Sequence, residues 1–137
     1  MQPLSPAEKA YLREWLDVAD LDFGAAQRML ADSPASYGYL IPFAFQQAVE
    51  KYCKGVMLAH GHRSPKSHDL PDLLQKLPLF LTFAAAELDD ADQLADYAVE
   101  TRYPPNARIS VAEMHEAARI ALHFRNRLRP HLEAALA

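Results

Sequence analysis

Apolar residues recur every three or four positions over most of the chain, a spacing that predicts helices rather than strands. The first such stretch opens with Ser5, Pro6 and Glu8, which combine an N-cap serine, a proline in the first turn and a capping-box glutamate. It stops at an Asp-Ser-Pro sequence that helices rarely cross. We therefore predict a first long helix near 6–31.

Two further helices follow along the chain. The second is predicted from about 37 to 60, with Gly61 as the C-terminal stop. After a loop, Asp69 can cap a short helix that runs through Leu77. Proline residues at the boundaries mark the ends of these stretches more than they break them.

The C-terminal half contains a segmented stretch and a long one. An acidic segment around residues 87–92 predicts a boundary between two shorter helices, about 79–88 and 91–100. Ser110 and Glu113 then form a second capping box, which predicts a final helix from 111 to near the C-terminus.

Short loops join these helices, and each must bury its apolar stripe against a neighbour. The sequence thus predicts an all-α, up-and-down helical bundle of four main helices plus one or two short helices, with residues 1–137 forming a single domain. Composition agrees, because half of the residues are apolar and 23% are charged, which excludes a disordered chain. The presence of only four glycines argues against a turn-rich β protein.

The net charge of −4 gives the chain no long-range attraction to DNA or RNA, so a nucleotide or RNA contact must rely on a few clustered cations.

Cys53 is the only cysteine, which excludes an intrachain disulfide and predicts a small buried apolar side chain. The N-terminus lacks a signal sequence, and no apolar run is long enough to cross a membrane. We expect a cytoplasmic protein.

The second helix carries a polar face made by Gln47, Glu50, Lys51 and Lys54, which lie three or four residues apart. One interpretation is a solvated surface on which Glu50 and Lys54 form an ordinary ion pair. The other is that Lys51 and Lys54 present their ammonium groups to a phosphate.

The loop that contains Pro65, Lys66 and His68 leads into a helix N-terminus, where backbone amides and the helix dipole favour an anion. Lys66 strengthens this anion-binding hypothesis. His68 can donate to a phosphate or act as a general acid or base, or it can simply fix the loop by hydrogen bonds. Asp69 is expected at the N-cap, where it competes with an incoming anion.

Arg102, Tyr103 and Pro104 end a helix in the second half of the chain. Pro104 forces Tyr103 into an extended conformation. Arg102 can reach a phosphate or Glu50, while Tyr103 is expected to pack into the core.

No metal or other cofactor is expected. His60, His62 and His68 straddle a helix end and a loop without the carboxylate or thiolate spacing of a metal site.

The last helix has a heptad-like apolar stripe with an arginine in it. Its apolar positions are Val111, Met114, Ala118, Ala121, Leu128 and Leu132. Arg125 falls where the next apolar residue belongs. Its stem can lie along the bundle with the guanidinium in solvent, or the side chain can point into a groove or a dimer interface.

Three segments of the chain together resemble the HEPN family: residues 46–54 (QQAVEKYCK), residues 66–70 (KSHDL) and residues 102–104 (RYP). The resemblance extends over most of the chain and implies an up-and-down helical bundle with an extra short helix. It also implies a homodimer, a minimal nucleotidyltransferase as a possible partner, and a nucleotide or RNA as ligand.

The resemblance implies the role of an accessory protein in a toxin–antitoxin-like pair with a nucleotidyltransferase. The nucleotide or RNA ligand of this chain would contact the basic residues of the three segments, namely Lys51, Lys54, Lys66, His68 and Arg102. The structural residues of the same segments are Glu50, Asp69, Tyr103 and Pro104.

Two other functions are open. Arg125 and His131 resemble the Arg-x4-6-His signature of HEPN ribonucleases, which implies metal-independent RNA cleavage at a dimer cleft, with the histidine as acid or base and the arginine stabilising the transition state. Pro130 lies between them and is expected to remove a helical hydrogen bond. The third possibility is a non-catalytic protein-interaction subunit.

Overall fold

The computed structural model of the chain describes residues 3–63, 66–78, 81–105 and 107–137. Within these segments the chain forms four long helices, one short helix and two single 3-10 turns, and no strand. The helices are α1 (Pro6–Ala31), α2 (Leu40–Ala59), the short α3 (Leu70–Gln75), α4 (Ala85–Val99) and α5 (Val111–Leu136), and the 3-10 turns are Pro34–Ser36 and Glu100–Arg102. The prediction of an all-α bundle is confirmed.

Helix α2 lies at the centre of the bundle and packs against α1, α3, α4 and α5. It is apolar at most positions, so it has no wide polar side to turn toward solvent. Fourteen of its residues are buried, including the fully enclosed Phe45 and Tyr52. The same surroundings enclose polar residues of α2, notably Glu50 and Lys54.

The long first and last helices begin where their capping boxes predict. In α1, the Ser5 amide donates to Glu8 Oε1 at 2.9 Å, and the Glu8 amide donates to Ser5 Oγ at 3.1 Å. Ser110 and Glu113 repeat the arrangement at the start of α5, with distances of 3.0 and 3.1 Å. Each box satisfies two backbone amides at a helix end reciprocally, which fixes the first turn.

Helix α2 begins at Leu40, three residues later than predicted. The chain before it makes the 3-10 turn Pro34–Ser36 and then passes through Gly38, whose φ of 55° is left-handed. At the other end Gly61, with a φ of 74°, lies just beyond the helix as expected.

The prediction of two helices at 79–88 and 91–100 is wrong, because one helix, α4, spans Ala85–Val99. Residues 79–80 lie outside the described residues. The acidic residues do not break the helix, since Asp89 and Asp92 face solvent and Glu87 and Asp90 pair with α5. The core spacing is kept by Ala91, Leu94 and Ala98. Glu87 even stabilises the first turn, where its Oε1 accepts the Ala84 amide at 3.0 Å.

Glu87 also ties α4 to α5. Its other oxygen accepts from Arg127 and from His123 Nε2, the latter at 2.7 Å. Partial burial pushes the pKa of Glu87 upward, but the hydrogen bonds from His123, the Ala84 amide and Arg127 outweigh it and bring the pKa to about 2. This carboxylate is therefore charged throughout the neutral range.

The lowered pKa of Glu87 predicts acid sensitivity. The folded pKa lies below the ordinary 4.5, so its stabilising contribution is present above about pH 4.5 and is lost as the pH falls toward 2. We expect the wild-type free energy of unfolding to fall more steeply over this interval than that of Glu87→Gln. Urea unfolding between about pH 2 and 6 followed by circular dichroism measures both slopes, and equal slopes would contradict the role of Glu87.

The apolar stripe of α5 follows the predicted one at Met114, Ala121, Leu128 and Leu132, and departs from it at two positions. Phe124 is fully buried, whereas Arg125 is only partly buried at the edge of the core. Val111, expected in the stripe, is exposed. The buried face of α5 is wider than a heptad stripe, since Ala117, Ile120 and Phe124 are buried beside the predicted positions.

Pro130 does not interrupt α5, which continues to Leu136. Arg125 and His131 therefore lie on one helix, which runs to near the C-terminus as predicted, although Pro130 has no backbone N–H to donate.

Cys53 has no exposed surface, as predicted, and burial raises the pKa of its thiol far above the ordinary value, with the Glu50 carboxylate adding to the shift. No helix among the described residues is long and apolar enough to cross a membrane.

Candidate functional site

The carboxyl group of Glu50 is enclosed in the protein, with only 3% of the side chain exposed. Its Oε1 accepts hydrogen bonds from Lys54 Nζ at 2.9 Å and from His68 Nδ1 at 2.6 Å, and its Oε2 accepts from Gln46 Nε2 at 3.3 Å. The prediction of an ordinary solvated helix face is wrong for Glu50 and Lys54. Both are buried because α2 is covered on this side by its neighbours.

Glu50 stays ionised despite its burial. Burial pushes the pKa of the carboxyl upward, but the hydrogen bonds from Lys54 and His68 outweigh it, and the pKa lies below the ordinary value of a glutamate. A buried negative charge next to a buried ammonium is thus maintained at neutral pH.

His68 is held by Glu50 at one ring nitrogen and exposes the rest of its ring, since 78% of its side chain is accessible. An ionised carboxylate only accepts hydrogen bonds, so His68 Nδ1 must carry a proton. Nε2, on the far side of the ring, has no hydrogen-bond partner among the described residues. This nitrogen can accept from a ligand hydroxyl, or donate to a phosphate when the ring is protonated.

Asp69 occupies the N-terminus of the short helix α3, as predicted. Its Oδ1 accepts the Asp72 amide at 3.2 Å, and its own amide donates to Ser67 Oγ at 3.1 Å. Because Asp69 caps the helix, the start of α3 is not available to bind an anion. The loop contributes to a ligand site by positioning His68. Pro65 lies outside the described residues.

A cavity of about 340 Å³ opens beside Glu50 and His68. We call it the motif cleft; it is lined by Phe43, Gln46, Gln47, Glu50, His68, Ala98, Val99 and Arg102. These residues come from α2, from the loop before α3 and from the end of α4 with its 3-10 turn. The three sequence segments that suggested a site therefore meet here, although they are far apart along the chain.

The guanidinium of Arg102 lies over two aromatic rings at the cleft. Its Cζ is 4.8 Å from the ring centre of Phe43 and 5.6 Å from that of Tyr103. Within the described segments no carboxylate pairs with this guanidinium, and it does not reach Glu50. Tyr103 is extended before Pro104 as predicted, but it is 64% exposed and does not fill the core.

The three predicted lysines do not converge on the cleft. Lys54 pairs with Glu50, while Lys51 turns toward α1 and pairs with Asp22 at 2.6 Å. Lys51 thereby lines a separate shallow groove with Tyr11, Trp15 and their neighbours on α1. Lys66 is exposed in the loop, two residues before His68.

Arg125 joins a polar cluster between α1, α2 and α5. Its Nε donates to Tyr52 Oη at 3.2 Å, and its Cζ lies 5.0 Å from the ring centre of Phe23. Tyr52 Oη in turn donates to Asp20 Oδ1 at 2.5 Å, and Arg129 clamps the same carboxylate through Nε and Nη2. The stem of Arg125 thus lies along the bundle edge with its head in a hydrogen-bonded network.

His131 lies elsewhere on α5. It is close enough to His60 at the end of α2 to depress that residue's pKa, after the larger effect of burial. Six residues of α-helix separate Arg125 from His131 by about 9 Å along the axis and about 120° around it. Within one chain the two side chains therefore face different neighbours.

No group of three or more His, Cys, Asp or Glu side chains that could hold a metal ion is found in the described part of the chain.

Comparison with known protein families identifies the family of this chain. The family model described as "HEPN domain" matches residues 12–130, which is most of the chain. The chain belongs to the HEPN family. The motif cleft and the Arg125 cluster both lie within the matched region.

Two solved structures share the HEPN bundle. The protein TT1696 from Thermus thermophilus is 26% identical and superposes with a TM-score of 0.71 over 88% of this chain and 97% of that one. The protein ST0689, described as an archaeal HEPN homologue, is 22% identical, with a TM-score of 0.68 over 96% and 99% of the two chains. No curated protein matches the chain.

Some residues of the motif cleft and of the Arg125 cluster could not be identified from their spacing in the sequence. Phe43, which supports Arg102, lies in the first turn of α2 and has the pattern of an ordinary apolar residue. Tyr52 fits the apolar stripe of α2, but nothing in its spacing indicates that its hydroxyl connects Asp20 to Arg125. The partners of this hydroxyl lie 32 and 73 residues away along the chain.

Proposed function

We propose that this HEPN protein binds the phosphate of a nucleotide or of RNA in the motif cleft. The observation that carries the proposal is Arg102, whose guanidinium lies over the rings of Phe43 and Tyr103 and has no carboxylate partner among the described residues. An arginine fixed in this way keeps its N–H edges available for a bidentate contact with phosphate. Its order before binding reduces the entropy lost when a ligand is bound.

The remaining cleft residues supply a second contact and a rigid frame. His68 offers Nε2 toward a phosphate or a ribose hydroxyl, since Glu50 fixes the ring from the other side. Lys54 offsets the charge of Glu50, so that the carboxylate does not repel an anion at Arg102. Lys66 is proposed as an outer contact that approaches from the loop. Lys51, paired with Asp22, is not part of this proposal.

We further propose that the protein acts as a homodimer and as the accessory partner of a minimal nucleotidyltransferase, in a toxin–antitoxin-like pair. Membership of the HEPN family and the three motif segments support this role. Light scattering after gel filtration tests the dimer, and co-purification with a co-expressed nucleotidyltransferase tests the partnership.

RNA cleavage by Arg125 and His131 is the competing hypothesis. It requires a second chain to complete the site, because the two residues lie on different sides of α5 within one chain. Degradation of RNA by the purified protein, lost in His131→Ala, would favour this hypothesis over a binding function.

Arg102→Ala is expected to lower the affinity for ribonucleoside 5′-monophosphates by about tenfold or more. The reason is the loss of a charge-assisted pair of hydrogen bonds, which contributes about 1.5 to 3 kcal/mol. Isothermal titration calorimetry on the wild type and the variant measures the change, and circular dichroism confirms that the helical fold is kept.

Arg13→Ala is the matched control, because Arg13 is an exposed arginine on α1 outside the cleft. It removes the same charge and should leave the affinity within about twofold of the wild-type value. Equal losses in the two variants would show that the effect of Arg102 is only one of net charge, and an unchanged affinity in Arg102→Ala would refute the site.

A further inference from the structure

Resting on the proposed function, we infer that the motif cleft takes a single mononucleotide and disfavours an RNA strand. The volume of the cleft is the first support. At about 340 Å³ it lies at the lower end of the range of about 300 to 1,000 Å³ typical of small-molecule sites. Such a volume holds one nucleotide, with Val99 and Ala98 as an apolar wall for the base.

The charge inside the cleft supports one phosphate group. Glu50 and Lys54 offset each other, so Arg102 is the permanent positive charge left without a partner among the described cleft residues. The cleft therefore offers no row of cations along which a polyanion could extend.

Beside the cleft, α4 carries a ridge of negative charge. We call it the acidic ridge; it consists of the exposed residues Asp89, Asp92, Asp96 and Glu100. Their spacing of three or four residues places them along one side of the helix, and the sequence of α4 contains no lysine or arginine. The pKa of Asp96 is raised, first by partial desolvation and then by Asp92 and Glu100, in agreement with like charges close together.

The acidic ridge adjoins the wall of the cleft. Asp96 precedes Val99 by less than one helical turn, and Glu100 follows Val99 directly. At physiological ionic strength charges act over about 8 Å, so a phosphate next to the ligand in a strand would be repelled by these carboxylates. The net charge of −4 supplies no compensating attraction at longer range.

The test compares two probes on the same protein. Fluorescence anisotropy, in competition format, measures the affinities of the four ribonucleoside 5′-monophosphates and of 5′-phosphorylated pentanucleotides of the same bases. We expect the wild type to bind a monophosphate more tightly than the pentanucleotide. The difference should shrink as salt is raised from about 50 to about 500 mM, because salt screens the repulsion from the acidic ridge.

Charge reversal on the acidic ridge sharpens the comparison. Asp92→Lys with Asp96→Lys should raise the affinity for the pentanucleotide about tenfold or more and change that for the monophosphate less than about threefold. The matched control, Glu14→Lys with Asp17→Lys on the exposed side of α1, changes the net charge equally and should give much less gain.

The outcomes separate this inference from the proposed function. Tighter Arg102-dependent binding of the pentanucleotide by the wild type would overturn the inference and leave phosphate binding in the cleft intact. Equal gains from the ridge and control variants would also overturn it. Absence of Arg102-dependent binding for both probes would overturn the two together.

Discussion

Glu50→Ala is expected to lower the free energy of unfolding by about 3 to 5 kcal/mol, because it removes one partner of a buried ion pair. The Lys54 ammonium, 11% exposed, would lose its carboxylate, and Gln46 and His68 would lose an acceptor. Urea unfolding followed by circular dichroism measures the loss.

A double variant shows whether the destabilisation comes from the unpaired charge of Lys54 or from lost packing. Glu50→Leu combined with Lys54→Met removes both charges and replaces them with apolar groups of similar size, so it should be clearly more stable than Glu50→Ala. If the double variant loses as much stability as the single one, the destabilisation does not come from the unpaired lysine.

Phe124→Ala is expected to cost about 3 to 5 kcal/mol, since it empties a fully buried position on α5. Arg125→Ala should cost only about 1 kcal/mol, the value of one hydrogen bond to Tyr52 and a contact with Phe23 at the bundle edge. The two neighbouring variants, unfolded in urea under identical conditions, determine which of these positions faces the core.

The reverse order of losses would contradict the packing of α5 described above. It would place Arg125 in the buried seam, as the strict heptad spacing of the sequence predicts. Phe124 also touches the Phe83 ring, with the centroids 5.9 Å apart, so its loss should loosen the segment that precedes α4.

Helix ends were predictable where one short signal controls them. Ser5 with Glu8 and Ser110 with Glu113 place the first turns of α1 and α5 correctly, because a capping box acts within four residues. The division of α4 failed for the opposite reason. An acidic run can mark a helix end or an exposed helix face, and the choice depends on the burial of Leu94 and Ala98 against α2 and α5.

The sequence predicted which residues line the motif cleft better than it predicted how they are buried and paired. Glu50, His68 and Arg102 belong to the family motifs, and they line one cavity. The spacing of α2 alone could not reveal that Glu50 is buried or that Lys51 turns to Asp22. Both outcomes depend on α1 and on the loop before α3, which lie 18 to 29 residues away along the chain.

The enclosed thiol of Cys53 has a practical consequence for experiments in solution. As the sole cysteine, without exposed surface and with a strongly raised pKa, it should stay unreactive toward maleimide dyes while the protein is folded. A cysteine introduced at the exposed Arg108 could then be labelled selectively in an otherwise native chain. A fluorophore at that position would lie a few residues beyond Arg102 in the chain and could report on ligand binding.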